Sequence, residues 1–177
     1  VDTLNKKIKE IPEDVLSFLV KNGKRSSVLL GFDFEDALFF SWGLLKEKTP
    51  ELLSVGDLEA LYLLMLKERG INIFKIDVAR IELKDAVAFY LWIFDELKSI
   101  NELEKNYLQS SPDFSLVKAG IANLEKFGHL TTIDSLAKGD LTKYESIKKM
   151  PYNVIFDKLF LEKTKSEIEK KIIETKK

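Results

Sequence analysis

Pro151-Tyr152-Asn153-Val154-Ile155-Phe156-Asp157-Lys158-Leu159-Phe160-Leu161 opens the stretch whose reading decides the fold. Proline suits the first helical position, where its missing N–H leaves no bond unmade. Val154, Ile155, Leu159 and Phe160 then recur at helical spacing, and Tyr152 and Phe156 widen the apolar stripe. Beyond Leu161, Ile168, Ile172 and Ile173 continue one face, while Glu162, Lys163, Lys165, Glu167, Glu169, Lys170 and Lys171 fill the others. The spacing predicts one helix from Pro151 to about Thr175, with a core-forming first half and a projecting charged second half, residues 162–177. Glu167 and Lys171 add an i,i+4 pair worth about 0.2–0.5 kcal/mol. Adjacent isoleucines at a charged helix end need cover. Ile168, Ile172 and Ile173 are therefore the candidate partner-binding residues; the alternative is a helix end that frays.

Upstream, the same logic gives mostly helices. Thr131 or Thr132 caps a short one through Leu136 to Gly139. Asp140 or Thr142 caps another through Tyr144 and Ile147, with Thr142 and Glu145 at capping-box spacing. Phe114, Leu116, Val117, Ile121 and Leu124 mark a helix that ends at Phe127-Gly128, after a break at Ser110-Ser111-Pro112-Asp113. Leu83 to about Leu108 is a long helix whose Phe89, Tyr90, Trp92 and Phe94 wrap more than one face, so neighbours should pack on several sides. Ser54 and Asp57 precede an almost wholly apolar helix that leaves at Glu68-Arg69-Gly70. Asp33 is the expected N-cap of a helix with Glu35 and Asp36 in its first turn, carrying Leu38, Phe39, Phe40, Trp42, Leu44 and Leu45 and stopping before Thr49-Pro50.

Pro12 to Lys21 reads as a short helix ended by Asn22-Gly23, Val28-Leu29-Leu30 as a brief extended piece, and residues 1–10 as an N-terminal arm. Ile71 to Ile81 breaks any helical stripe and reads as extended or irregular. The expectation is a single all-α domain, residues 1–177: an irregular bundle of about eight helices with a short extended segment near 71–81. Leu61, Leu64, Phe89, Trp92, Ile93, Leu124, Ile155, Phe156 and Leu159 are the expected core.

Composition narrows the function. Hydrophobic residues make up 45% and charged residues 32% of 177, a balance that folds. The net charge of −1 gives no general attraction to nucleic acid or acidic membrane. Charge is uneven: Glu51–Glu104 carries eleven acids against six bases, and Glu145–Lys177 six acids against nine bases. That polarity suits contact with copies or partners as well as it suits a solvated surface. Without cysteine there is no disulfide, thiolate metal site or cysteine nucleophile. No apolar run approaches the ~18–20 residues of a membrane span, so no membrane partner is expected. The first residues, Val1 to Lys7, show no signal-type apolar stretch.

Catalytic chemistry has no visible apparatus. His129, the only histidine, reads as a loop residue after Gly128 whose charged form the preceding helix end would favour. It has no nucleophile, orienting partner or second ligand in any motif. The acid groups Asp33/Glu35/Asp36, Asp95/Glu96 and Glu102/Glu104 are too close in sequence to face one another across a cleft, and the first is explained by capping. No phosphate-binding, nucleophile-elbow, calcium-loop or dinucleotide fingerprint occurs. No enzyme, cofactor or metal is expected. The three arginines, Arg25, Arg69 and Arg80, are few for reading nucleic acid, although the basic groups Lys21/Lys24/Arg25, Lys148/Lys149 and Lys170/Lys171/Lys176/Lys177, with short helices over Leu124–Ile147, keep a DNA-binding or regulatory protein as one alternative. The other is an enzyme or small-ligand binder with a polar-lined helical cavity near His129 or the acids.

From Lys118 onward the pattern Ala119-Gly120-Ile121, Leu124, Phe127-Gly128, Thr132-Ile133-Asp134, Leu136-Ala137, Gly139-Asp140-Leu141-Thr142-Lys143-Tyr144-Glu145, Met150-Pro151-Tyr152 and Leu159 resembles the C-terminal part of small all-helical proteins of tailed bacteriophages, namely tail-assembly chaperones and head–tail accessory proteins. The resemblance spans residues 118–177 and carries over no functional residue. It implies a non-enzymatic role in building a virion, other protein chains as partners (copies of itself or a different protein), and a place in the cytoplasm of an infected bacterium or in the particle.

Overall fold

A computed structural model of the chain describes residues 21–109 and 117–175, together with Glu10, Pro12, Val15 and Phe18. The N-terminal arm over residues 1–9, most of the first helix, the break at Ser110–Asp113, Phe114, Leu116, Lys176 and Lys177 lie outside the described residues. The protein is all-α, an irregular bundle with one minute sheet among the described residues. Strand β1 (Val28–Leu29) pairs antiparallel with β2 (Phe32–Asp33). Leu30 and Gly31 between them have φ of 49° and 79°, the two positive values that a tight two-residue hairpin turn demands. The extended piece expected at Val28–Leu30 is thus the first arm of a hairpin.

Asp33 does not start a helix. Its carboxylate accepts from the Ser27 hydroxyl at 2.6 Å and the Glu35 N–H at 2.9 Å, which ties down the hairpin and holds its acid below the usual carboxylate range. Asp36 is the cap instead, accepting from Leu38 N–H above the 3₁₀ turn Ala37–Phe39. The helix expected to stop before Thr49-Pro50 begins at Trp42 and runs through that proline: a π-helical turn, Leu44–Lys48, leads directly into α1 (Thr49–Val55). Pro50 has no N–H, and its ring would press on the carbonyl four residues back in a regular helix. In the π turn Thr49 N–H reaches back to Leu44 O, five residues away, so the ladder is already widened where proline arrives. Gly56, in the left-handed region, closes α1, and Asp57 caps α2 (Leu58–Glu68) by accepting from Ala60 N–H.

Between α2 and α3 (Leu83–Tyr107) no strand forms. Asn72 and Asp77 each accept from the N–H two residues on and cap 3₁₀ turns at Ile73–Lys75 and Val78–Arg80. Local side-chain-to-backbone bonds win there because the segment meets no open sheet edge. Past the undescribed residues come a 3₁₀ helix (Ile121–Phe127), α4 (His129–Ala137), a 3₁₀ turn (Leu141–Lys143) capped by Asp140, α5 (Tyr144–Lys148) and α6 (Tyr152–Thr175). Gly128 precedes α4, so neither Thr131 nor Thr132 caps it; the Thr131 hydroxyl bonds back to Gly128 O at 2.8 Å.

The core centres on a loop residue, Phe34. Its buried ring meets Phe89 at 5.2 Å, Tyr62 at 5.7 Å, Phe40 at 6.1 Å and Trp92 at 6.3 Å. Arg69 clamps this loop, donating to Phe34 O at 2.7 Å and lying 4.9 Å over the Phe40 ring. Leu61, Phe89, Trp92, Ile93 and Ile155 are buried as expected, and Leu64, Phe156 and Leu159 are half-buried against them. Leu124 is not core; it is 52% exposed. A 3₁₀ helix stacks Ile121, Leu124 and Phe127 in one row, and that row lies at the surface.

Two crossings attach the C-terminal helix. Trp42 N–H donates to Met150 O at 2.8 Å, and Tyr152 N–H to Phe40 O at 2.9 Å, around an antiparallel bridge between Ser41 and Pro151. Pro151 therefore stands just before the helix, giving its carbonyl to Ile155 N–H. Gly43 allows the close approach: a Cβ there would sit 3.1 Å from Lys148 O.

Thr49, at the end of the π turn, is fully buried, and its Oγ1 has no hydrogen-bond partner among the described residues. Thr49→Val keeps the shape and removes the unmatched hydroxyl, so it is expected to raise stability by about 1 kcal/mol and the melting temperature by about 2–4 °C for a chain of this size. Thermal denaturation followed by circular dichroism measures this; a lower melting temperature would mean that the hydroxyl is bonded in solution.

Candidate functional site

The π turn has a second consequence. It carries Lys46 to the side of α3, where its Nζ meets Glu104 at 2.8 Å. The other Glu104 oxygen accepts from the Tyr152 phenol at 2.9 Å. Lys46 is 11% exposed and Glu104 28%, so this pair is sheltered from water more than a surface ion pair. Tyr152 is buried, and burial first and the Glu104 charge second push its phenol far above the ordinary value. Three elements (the π turn, α3 and the first turn of α6) thus converge on one carboxylate.

Beside this network lies a cleft of about 660 Å³, within the range of ligand sites. Leu45, Pro50 and Leu53 line it from the π turn and α1, and Tyr90, Phe94 and Leu97 from α3. Lys46, Asn101 and His129 line it too, and the same three belong to a neighbouring cleft of about 460 Å³ that reaches Trp42, Glu104 and Leu159. His129 is not a loop residue with a favoured charge. It is the first residue of α4 and stands edge-on to Trp42 at 5.5 Å. Burial first, and then the Lys46 charge, lower its pKa from 6.5. The preceding 3₁₀ helix end is outweighed by the loss of water and by a cation nearby.

The other acids have structural duties. Asp95 pairs with Arg25 at 2.8 Å. Glu96 accepts from Ala37 N–H, and burial, with Asp36 and Asp95 near, raises its pKa. Among the described residues no three His, Asp or Glu side chains gather as a metal site. Of the basic groups, Lys148 is paired with Glu47 at 3.0 Å, and the second helix of the DNA-binding alternative is a 3₁₀ turn followed by only five α-helical residues.

Ile168, Ile172 and Ile173 are 53%, 47% and 58% exposed, and every described residue from 165 to 175 is at the surface. Among the described residues the last tie to the body is Lys163, whose Nζ donates to Tyr107 O and Gln109 O, both at 2.9 Å. A lysine here satisfies carbonyls that the end of α3 leaves open. The cleft and the isoleucines are separate places; the structure does not bring them together into one site. Nothing in residue spacing announced the Lys46–Glu104–Tyr152 network, because its members stand 58 and 48 positions apart.

No family model, curated protein or solved structure matches the chain. Among the described residues no helix is long and apolar enough to cross a membrane.

Two expectations follow. Tyr152→Phe removes only the phenolic bond to Glu104 and should lower the unfolding free energy by about 1.5–3 kcal/mol, read from urea melts; an unchanged midpoint would mean that Glu104 is served by Lys46 and water alone. The lone histidine gives a clean NMR titration with a pKa below 6.5. Since the unfolded chain takes up that proton first as pH falls, this group favours the fold above pH 6.5 and withdraws support as the pH drops through its lowered pKa. Denaturation at pH 7 and pH 5 should show a smaller pH-dependent loss in His129→Gln than in the native chain.

Proposed function

We propose that this is a non-enzymatic interaction protein that docks on another protein chain through the far end of α6. One observation carries this reading: Ile168, Ile172 and Ile173 lie exposed on a helix whose residues 165–175 rest on nothing within the described chain. An isolated helical segment of that length is marginal in water and gains stability chiefly by burying an apolar face. Val154, Leu161 and Ile168, all exposed, follow at intervals of seven, and Ile172 lies one turn beyond Ile168, a narrow apolar row along one side of the helix. Copies of this chain or a different protein would serve as that partner. A role as a virion or tail-assembly component, acting in an infected bacterium or retained in the particle, rests on the resemblance over residues 118–177.

The absence of a motif-based catalytic set supports a non-enzymatic role, and the commitment of Lys148 to Glu47 argues against a basic recognition helix. The cleft beside His129 favours a second reading, ligand binding, which is compatible with the first.

Removing residues 166–177 should abolish assembly while leaving the melting temperature within about 2 °C, since no buried apolar side chain is lost. Light scattering on the full and shortened chains, alone and with a candidate partner, measures this. A shortened chain that assembles as before, or that melts many degrees lower, would contradict the reading.

A further inference from the structure

The cleft between the π turn and α3 has a composition more selective than a surface dent. Its walls are apolar, with Leu45 and Leu53 opposite the rings of Tyr90 and Phe94. Those rings are stacked at 6.4 Å and 24°, and Phe94 is 46% exposed. Two lysines, Lys46 and Lys98, line the cleft, and no acidic residue does. Lys46 is turned partly away, toward Glu104. Lys98 is exposed and has no carboxylate partner among the described residues. Asn101 adds an amide, and the neutral His129 ring adds a polar edge without a competing charge. A flat apolar body would find aromatic and aliphatic surface, and an anionic group on it would find Lys98 and the amide of Asn101. A cation of the same shape would find two lysines of like charge and no carboxylate among the lining residues to offset them.

We propose that this cleft is a binding site for a small aromatic anion, an aryl carboxylate in chemical class. The occupant is a small molecule rather than a second copy of the chain because the space is of ligand size and the exposed row of α6 sets Lys165 between Leu161 and Ile168, a charge that the cleft's own lysines would repel. The site is separate from the docking end of α6 and does not depend on it.

Titration calorimetry with 2-naphthoate tests this on the full chain, with 2-naphthylmethylammonium as the cation of like shape. The naphthoate should bind and the cation should bind at least tenfold more weakly. Lys98→Glu, at an exposed position, should weaken naphthoate at least tenfold, and Ser54→Trp, which fills the cleft from an exposed position, should abolish binding. Circular dichroism melts check that both variants keep the fold. No naphthoate binding, equal binding of the cation, or binding unaffected by both folded variants would overturn the proposal. So would naphthoate that dissociates a dimer seen by light scattering, because the cleft would then be an interface between copies.

Discussion

Tyr152 is held from both ends, and the arrangement of the bundle depends on it. Its backbone N–H bonds to Phe40 O, and its phenol bonds to Glu104 on α3. One residue thus joins the loop before the first long helix, the central helix and the C-terminal helix. The phenol can be buried only because a carboxylate waits for it, and the carboxylate is tolerable there only because Lys46 neutralises it. Lys46 in turn reaches Glu104 from the π turn that lets the chain pass through Pro50. A local backbone irregularity and a long-range polar network are parts of one solution.

The same attachment explains why α6 has two characters. Tyr152 and Ile155 are buried, and Phe156 and Leu159 cover the core. Phe156 and Phe160 meet Tyr107 edge-on at 6.3 and 5.6 Å, and Lys163 closes the end of α3. After Thr164 the helix packs on nothing among the described residues, and it is held by its own i→i−4 ladder and pairs such as Lys163–Glu167. The exposed isoleucines sit beyond that boundary, where local opening costs least.

The sequence disclosed elements whose signals are local. Leu83–Tyr107, the exit at Glu68-Arg69-Gly70, the Asp140 cap and the start of the last helix all follow from periodicity, capping chemistry and proline placement. It misplaced the first long helix because Asp33, Glu35 and Asp36 imitate a capped first turn, while a hairpin uses Asp33 for itself. It stopped that helix at Pro50 because nothing in residue type signals a π turn. Leu124 looked like core because its spacing fits both 3.6 and 3 residues per turn, and only the latter places it at the surface. Phe34, the centre of the ring cluster, lies in a loop and has no period to betray it. The polar network and the cleft depend on contacts between distant positions, which single-sequence patterns do not encode. The exposed Ile168, Ile172 and Ile173 were legible, since an apolar row among charges needs only helical geometry to be recognised.

Amide hydrogen exchange along α6 in the isolated chain, read by mass spectrometry, tests the division of this helix most directly. Amides from about 156 to 163 should exchange as slowly as those of α3, through openings that require the core to come apart, while those from 166 to 175 should exchange faster by orders of magnitude and slow only when a partner is bound. Equal, core-like protection from end to end in the isolated monomer would contradict it, showing that the last three turns belong to the body of the protein and have no partner to wait for.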